Sequence, residues 1–446
     1  MLGGGMLGLT IAWRLAQAGK QVHIREAAQN LGGLASAWTL RCSDGQQVRW
    51  DRHYHVTLLS DLRTRNLLTE LNLEQDMVWN RSLTGFYTDG RHISMSSSLD
   101  FLRFPALNLI DKVRLGLTII AASRIPDWTQ METKKVEDWL RSWSGKRTFE
   151  KIWLPLLKAK LGDSYTRTSA AFIWATINRL YAARRSGLKH ELFGYLRGGY
   201  GRMLDVFEKN LAQKGVSIRC GSPVESIRRT TNGQLQATYE SGQHELFDRV
   251  ITTMPSPLAA KLCPQLSDRE KSQHRSVEYQ GIICASVLLE KPLTKYYVTN
   301  ITDPAPFTGV IDMSALVDRK EFGGKTLVYL PKYVTPNDPL FLATDEQIRE
   351  SFLSALEKMY NGFRKSNILA FEVSRVRQVF PIPVLNYSKT VPPIKTSIPG
   401  LYIVNSSHIM NGTLNVNETI SLAERAAMEF MKERLASPVK LEALTV

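Results

Sequence analysis

The sequence predicts an α/β fold: a parallel, Rossmann-like sheet built on a nucleotide-binding turn and interleaved with a second domain of α+β type. Three observations predict it. A glycine-rich turn, Gly3-Gly4-Gly5-Met6-Leu7-Gly8, heads a turn–helix–strand pattern. Segments of similar helix-and-strand character return near residues 194–255 and 400–427, separated by stretches of different pattern. The chain has 446 residues, enough for two or three lobes with their own cores.

The turn has the form G-x-G-x-x-G, which is weak alone and gains meaning from the residues after it. Residues 9–17 (LTIAWRLAQ) place apolar side chains at helical spacing, and Gly19 stands where a helix end favours a left-handed residue. Residues 21–25 (QVHIR) suit a short buried strand, and Glu26 ends it 18 positions beyond Gly8. Gly3 then permits the tight turn, Gly5 lets backbone approach a pyrophosphate, and Gly8 lets helix and strand pack closely. The helix start at Met6 and Leu7 offers unpaired N–H groups to phosphate, and Glu26 offers its carboxylate to ribose hydroxyls. The strand before the turn is reduced to Met1-Leu2, so either this chain is truncated at its start or the sheet lacks most of its first strand.

Composition is that of a globular protein, with 43% hydrophobic and 22% charged residues. Cys42, Cys220, Cys263 and Cys284 are widely scattered. No pair has metal-ligand spacing and no disulfide framework is indicated, so no metal and a reducing, cytoplasmic setting are expected. The longest apolar stretch without charge, residues 115–123, is about half of what a bilayer span needs. A net charge of +15 is spread along the whole chain. It suits acidic ligands or anionic surfaces, and no nucleic-acid-binding motif accompanies it. Residues 435–446 lose all pattern and are expected to trail off as a tail.

A second glycine pair comes directly after Glu26, in REAAQNLGGLAS. This segment resembles the stretch after the second strand in the flavin amine oxidase superfamily, which includes protoporphyrinogen oxidases, phytoene-type desaturases, monoamine oxidases and, more distantly, UDP-galactopyranose mutases. The resemblance implies a glutathione-reductase-like FAD-binding domain with FAD as cofactor, and it implies that Gly32, Gly33, Leu34 and Ala35 run beside the cofactor. An arginine is frequent where this chain has Leu34. The stretch GYLRGGYGRMLDVFEKNLAQKGVSIRCGSPVESI, starting at Gly194, resembles the family's return to the FAD domain, with Val224 matching a backbone contact to adenine. Residues 248–255 (DRVITTMP) resemble the strand running toward the flavin. Residues 400–405 (GLYIVN) and 411–427 (NGTLNVNETISLAERAA) resemble the closing strand, loop and helix, so that Ser406, Asn415 and Val416 are expected at the flavin. Asn415 and Glu418 have the spacing of a helix cap. The implied layout is discontinuous: FAD-binding parts at 1–75, 196–265 and 390–436, substrate-domain parts at 76–195 (mainly helical) and 266–389 (mixed sheet), and a tail at 437–446.

The substrate side carries less signal. His55 comes after the second glycine pair in Asp51-Arg52-His53-Tyr54-His55 and is a candidate proton relay or hydrogen-bonder, with a structural histidine as the alternative. Lys332 and Tyr333, in VYLPKYV, are candidates to face the flavin from the substrate domain. The aromatic-rich run 153–181 suits either a cavity wall or a core. Residues 101–128 combine an apolar helix with Arg103, Lys112, Arg114 and Arg124, which suits peripheral contact with an anionic membrane or packing against a helix at 148–160.

The expected function is therefore FAD-dependent oxidation, in which a small lipophilic or cyclic substrate gives a hydride to the flavin. Two alternatives stand beside it: mutase chemistry on a sugar nucleotide without net redox change, and a non-catalytic binding protein like the GDP dissociation inhibitors.

Overall fold

The computed structural model describes residues 1–184, 192–410 and 413–432; the expected tail at 435–446 lies outside them. The opening turn leads into the helix Met6–Gln17, whose apolar residues Leu9, Ile11, Ala12 and Trp13 are buried. The strand His23–Arg25 pairs in parallel with Ser217–Arg219, and Val250–Thr252 pairs in parallel with Leu401–Ile403. Leu2 joins the two pairs, bridging Arg25 on one side and Thr252 on the other. Its N–H donates to the Ile251 carbonyl (2.8 Å), and the Thr253 N–H donates to the Leu2 carbonyl (2.9 Å). Leu2 is thus paired on both sides, between the two strand pairs. Leu2, Ile24, Ile251 and Ile403 are all buried there.

Three helices cover this sheet: Met6–Gln17, Gly199–Gln213 and Val416–Lys432. The opening and closing helices pack on each other, although they lie four hundred residues apart in sequence. A three-stranded antiparallel meander, Val224–Arg229, Leu235–Tyr239 and His244–Phe247, spans the gap between two of the parallel strands. Arg25, 3% exposed, pairs there with Glu245 through both carboxylate oxygens at 2.8 Å.

The second domain is a seven-stranded mixed sheet with a helical lobe. The sheet runs in the order Ile368–Pro381, Tyr279–Leu289, Thr326–Val334, Gly309–Asp312, Val298–Ile301, Thr84–Thr88 and Arg91–Ser94. Its long second strand Tyr279–Leu289 is buried at every position, as expected of a strand covered on both faces. In the lobe, the helices Leu109–Arg124, Val136–Thr148, Leu154–Leu161 and Ala171–Arg184 enclose Phe104, Leu140, Phe149, Trp153 and Phe172. The aromatic run 153–181 is therefore mainly core. The first of these helices packs on Val136–Thr148 and Ala171–Arg184 rather than on the segment at 148–160.

Candidate functional site

Between the two domains lies a cavity of about 1030 Å³. One part of its lining comes from the parallel-sheet domain: Gly3, Gly5, Met6, Leu7, Glu26, Gly32, Gly33, Leu34, Ala35, Ser406, Asn415 and Val416. These are the residues expected at a dinucleotide, and each has a local reason to be there. Gly3 (φ +105°) and Gly32 (φ +110°) hold backbone conformations that side chains disfavour. The two glycine turns meet at backbone level, with the Gly32 N–H donating to the Gly4 carbonyl at 2.8 Å. A Cβ on Gly33 would stand 3.3 Å from the Cα of Gly5, and one on Gly4 would stand 2.5 Å from the Leu31 side chain. The motif's variable second position is thus also crowded, though by the end of a flexible side chain.

Glu26 ends its strand with its carboxylate inside this turn. It accepts the Gly4 N–H (2.6 Å) on one oxygen and the Ala28 N–H (2.8 Å) on the other. Each oxygen keeps a lone pair for a further donor such as a ribose hydroxyl. The helix Met6–Gln17 starts at Gly5 with no side chain capping it, so its first N–H groups face the cavity unblocked. The closing helix is capped by Asn415, whose side-chain oxygen accepts the Glu418 N–H at 3.0 Å. Bare glycine backbone, an uncapped helix start and a carboxylate 22 residues beyond Gly4 fit a dinucleotide pyrophosphate and its ribose.

Three expected residues stand elsewhere. Gly8 lies outside the lining; a Cβ there would fall 2.0 Å from the Gly3 carbonyl oxygen, so it serves the close packing of helix on strand. Val224 is also outside. It opens the meander opposite Tyr239 with its side chain packed on Leu235 and Ala237 in a separate core; the contact the resemblance implies for it is through its backbone, on which this packing does not bear. Lys332 is outside for a reason of strand geometry. Along Thr326–Val334, Tyr329 and Tyr333 pack toward the cavity-side core while Val328, Leu330 and Val334 pack into the core on the opposite face. Alternation sends Lys332 with the latter.

Tyr333 does line the cavity and is part of a chain of polar groups. Its hydroxyl lies 2.9 Å from that of Tyr54 and accepts a hydrogen bond from the Lys160 ammonium at 2.5 Å. Burial pushes the Tyr54 phenol up to about 12 and pulls Lys160 down from 10.5 to about 7. His55 lines the cavity too, stacked on Tyr200 at 5.0 Å between ring centroids, with its Nδ1 3.6 Å from Asp51. Its neighbour His53 is locked. Nδ1 lies 3.2 Å from the Leu34 carbonyl and Nε2 lies 3.1 Å from the Ser374 hydroxyl, and burial lowers its pKa to about 4. His53 is therefore a neutral strut that fixes the Leu34 carbonyl.

Sequence reasoning passed over Lys160, Tyr54, Arg52, Arg179 and Asn405. Arg179 donates to both oxygens of Asp61 (3.1 and 2.8 Å). Arg52 stacks on Trp38 at 5.4 Å and lines the cavity. Asn405, 1% exposed, donates to the Met254 carbonyl and accepts from Ser407, tying the loop of Ser406 to the strand Val250–Thr252. Only the segment at 51–55 carried a signal in advance, through its distance from Gly33.

A parallel sheet with two glycine turns, facing a second domain across a deep cavity, defines a dinucleotide-dependent enzyme with a separate substrate wall. The chain belongs to the family of flavin containing amine oxidoreductases, whose family model matches residues 7–430. It is a flavin-dependent oxidoreductase, and FAD is its cofactor. A probable zeta-carotene desaturase of Synechococcus elongatus is 22% identical, with 98% of each chain covered. A putative protoporphyrinogen oxidase from Exiguobacterium sp. superposes with a TM-score of 0.75 at 17% identity, covering 97% of this chain and 98% of the other. A reduced UDP-galactopyranose mutase superposes with a TM-score of 0.72 at 14% identity, covering 98% and 95%. At such identities the structural likenesses establish the shared fold.

Proposed function

We propose that the protein dehydrogenates a small, non-cationic, lipophilic or cyclic substrate. Bound FAD supplies the two-electron acceptor; the chain's own residues bind, orient and desolvate the substrate. One observation carries this reading. Away from the glycine turns the lining is mostly apolar, with Val56, Phe193, Ile282, Tyr297, Val376 and Leu414 beside basic and neutral polar groups such as Lys160, His55 and Gln378. The sole carboxylate among the described lining residues is Glu26, at the glycine turns and already accepting two backbone N–H groups. A cationic amine held there would find no counter-charge, whereas a hydrocarbon or macrocycle would bury its surface at about 25 cal/mol per Å².

Of the two arginines on the lining, Arg179 is bound to Asp61, which counts against a mutase that must grip a sugar diphosphate. A polyene in detergent, a porphyrinogen and putrescine, each mixed anaerobically with the holoprotein, test the proposal. Bleaching of the flavin absorbance by the polyene or the porphyrinogen and not by putrescine is expected. Bleaching by putrescine alone would refute it, and a protein that stays colourless with FAD would refute any flavin role.

We also propose that the helical lobe rests on an anionic membrane surface. No helix among the described residues is long and apolar enough to cross a membrane. The helix Leu109–Arg124 nevertheless exposes Leu109, Ile110, Val113, Leu117 and Ile120, and Leu99 and Leu102 are exposed close by. That spacing forms one stripe along the face opposite buried Leu115, Thr118 and Ala122. An apolar stripe beside Arg103 and Arg124 matches acyl chains below and anionic headgroups around. The cavity-lining Arg179 and Leu180 sit on the helix Ala171–Arg184, which packs against this one, so a lipophilic substrate would enter from that side. Sedimentation with vesicles containing anionic lipid is expected, and Leu117→Glu with Val113→Glu should abolish it. Wild-type protein remaining in the supernatant would refute this.

A further inference from the structure

Lys160 is an unusual group for its position. It sits in the last turn of the helix Leu154–Leu161, which packs on the strands Thr326–Val334 and Val298–Ile301, and it faces the cavity. Among the described residues no carboxylate pairs with it. Its nitrogen donates to the Tyr333 hydroxyl (2.5 Å) and lies 3.8 Å from the Tyr333 ring centroid and 5.5 Å from that of Phe380. The residue is half-buried, and an amine turned onto two ring faces without a counter-ion is costly to keep.

We propose that Lys160 is the base that receives the proton lost by the substrate when its hydride departs, with Tyr333 and Tyr54 holding the amine in place. This rests on the dehydrogenation reading above and deepens it to the formation of a carbon–carbon double bond. One C–H bond breaks, and its electron pair and hydrogen go as hydride to the FAD. The C–H bond on the neighbouring carbon breaks, its electron pair becomes the second bond of the alkene, and its proton goes to the Lys160 nitrogen. The resulting ammonium donates to Tyr333 and is stabilised by the ring faces and by the partial negative charge of the helix C-terminus. It returns its proton to water when product leaves.

Around the amine, the groups on the packed elements do not compete for the proton. Tyr333 and Tyr297 are phenols pushed up by burial, and so is Tyr54. Lys158, Asp163 and Arg167, on the same helix and the adjoining turn, are exposed to solvent. His53 is held neutral, and His55 is turned toward Asp51 and Tyr200. With burial lowering the amine to about 7, half of it is free to accept a proton near neutrality.

The test has one arm without turnover. Holoprotein is treated with an amine-acylating reagent across pH 5–10, and Lys160 is followed by mass spectrometry. A midpoint near 7 is expected, against about 10 for exposed lysines. In the second arm, anaerobic flavin bleaching by the polyene or the porphyrinogen is followed against pH in wild type, Lys160→Gln, Lys160→Arg and Tyr54→Phe. Both Lys160 variants should lose the limb that rises through pH 7 and slow by about 10²–10⁴-fold, while keeping the flavin spectrum. Tyr54→Phe should keep the limb and shift it. A Lys160→Arg variant as fast as wild type, an unchanged limb in Lys160→Gln, or acylation only above pH 9 would overturn the proposal. Failure of every substrate to bleach the wild type would overturn the dehydrogenation reading instead, while the acylation midpoint would still report on the amine.

Discussion

Replacing Lys160 by methionine should make the protein more stable, and by an amount that depends on pH in a specific way. A fall from 10.5 to about 7 penalises the charged amine by about 5 kcal/mol at roughly 1.4 kcal/mol per pKa unit. The sign comes from linkage. The folded value is depressed, so the unfolded chain binds the extra proton; the penalty is full below about 7, shrinks as pH rises, and is gone above 10.5. At pH 7 about 4 kcal/mol of it remains. Methionine forfeits the hydrogen bond to Tyr333, about 1 kcal/mol, and fills the space with a flexible apolar chain. The expected gain is on the order of 2–4 kcal/mol at pH 7, falling to zero or below by pH 10.5. Urea unfolding of both proteins between pH 6 and 10.5 measures it, since every other titration cancels in the difference. A difference that stays constant with pH, or wild type proving the more stable at pH 7, would show that the amine is neither desolvated nor unpaired. Gain of stability with loss of activity is the signature of a group retained for chemistry.

Other perturbations probe the frame. Gly8→Ala should lower stability by at least 1–3 kcal/mol and weaken FAD retention, seen as loss of colour on gel filtration, because its Cβ would stand 2.0 Å from the Gly3 carbonyl oxygen. Phe207→Ala, in the core under the opening helix, should cost about 3–5 kcal/mol in the same unfolding assay. The Arg25 guanidinium holds the Glu245 carboxyl at about 2, with help from Tyr239. That depressed value gives stability that is present above about pH 4.5 and lost as pH falls toward 2. Glu245→Gln should therefore be less stable than wild type at pH 6, with the gap closing on acidification.

The cofactor side of the site was legible because its requirements are local. Gly3, Gly5, Gly32 and Gly33 are demanded by backbone conformation and close approach, Glu26 by its place at a strand end, and Asn415 by a helix start. Each of these is encoded within about thirty residues, so spacing alone reveals it. The substrate side is assembled from Tyr54, Lys160 and Tyr333, which arrive on three elements with some hundred to nearly three hundred residues between them. No local pattern marks such a meeting. Lys332 illustrates the limit. Strand periodicity says that it and Tyr333 face opposite ways, but which way faces the cavity depends on what packs on each side of the sheet.

The sequence by itself thus determined the α/β class, the dinucleotide turn and the flavin family, since these rest on backbone geometry that few residue types satisfy. Tertiary structure decided that Leu2 pairs on both sides, because the strands on either side of it supply its hydrogen bonds. Only tertiary structure could place the Lys160 amine against Tyr333, itself hydrogen-bonded to Tyr54, in a mostly apolar cavity, because desolvation is a property of what surrounds a group and not of the residue itself.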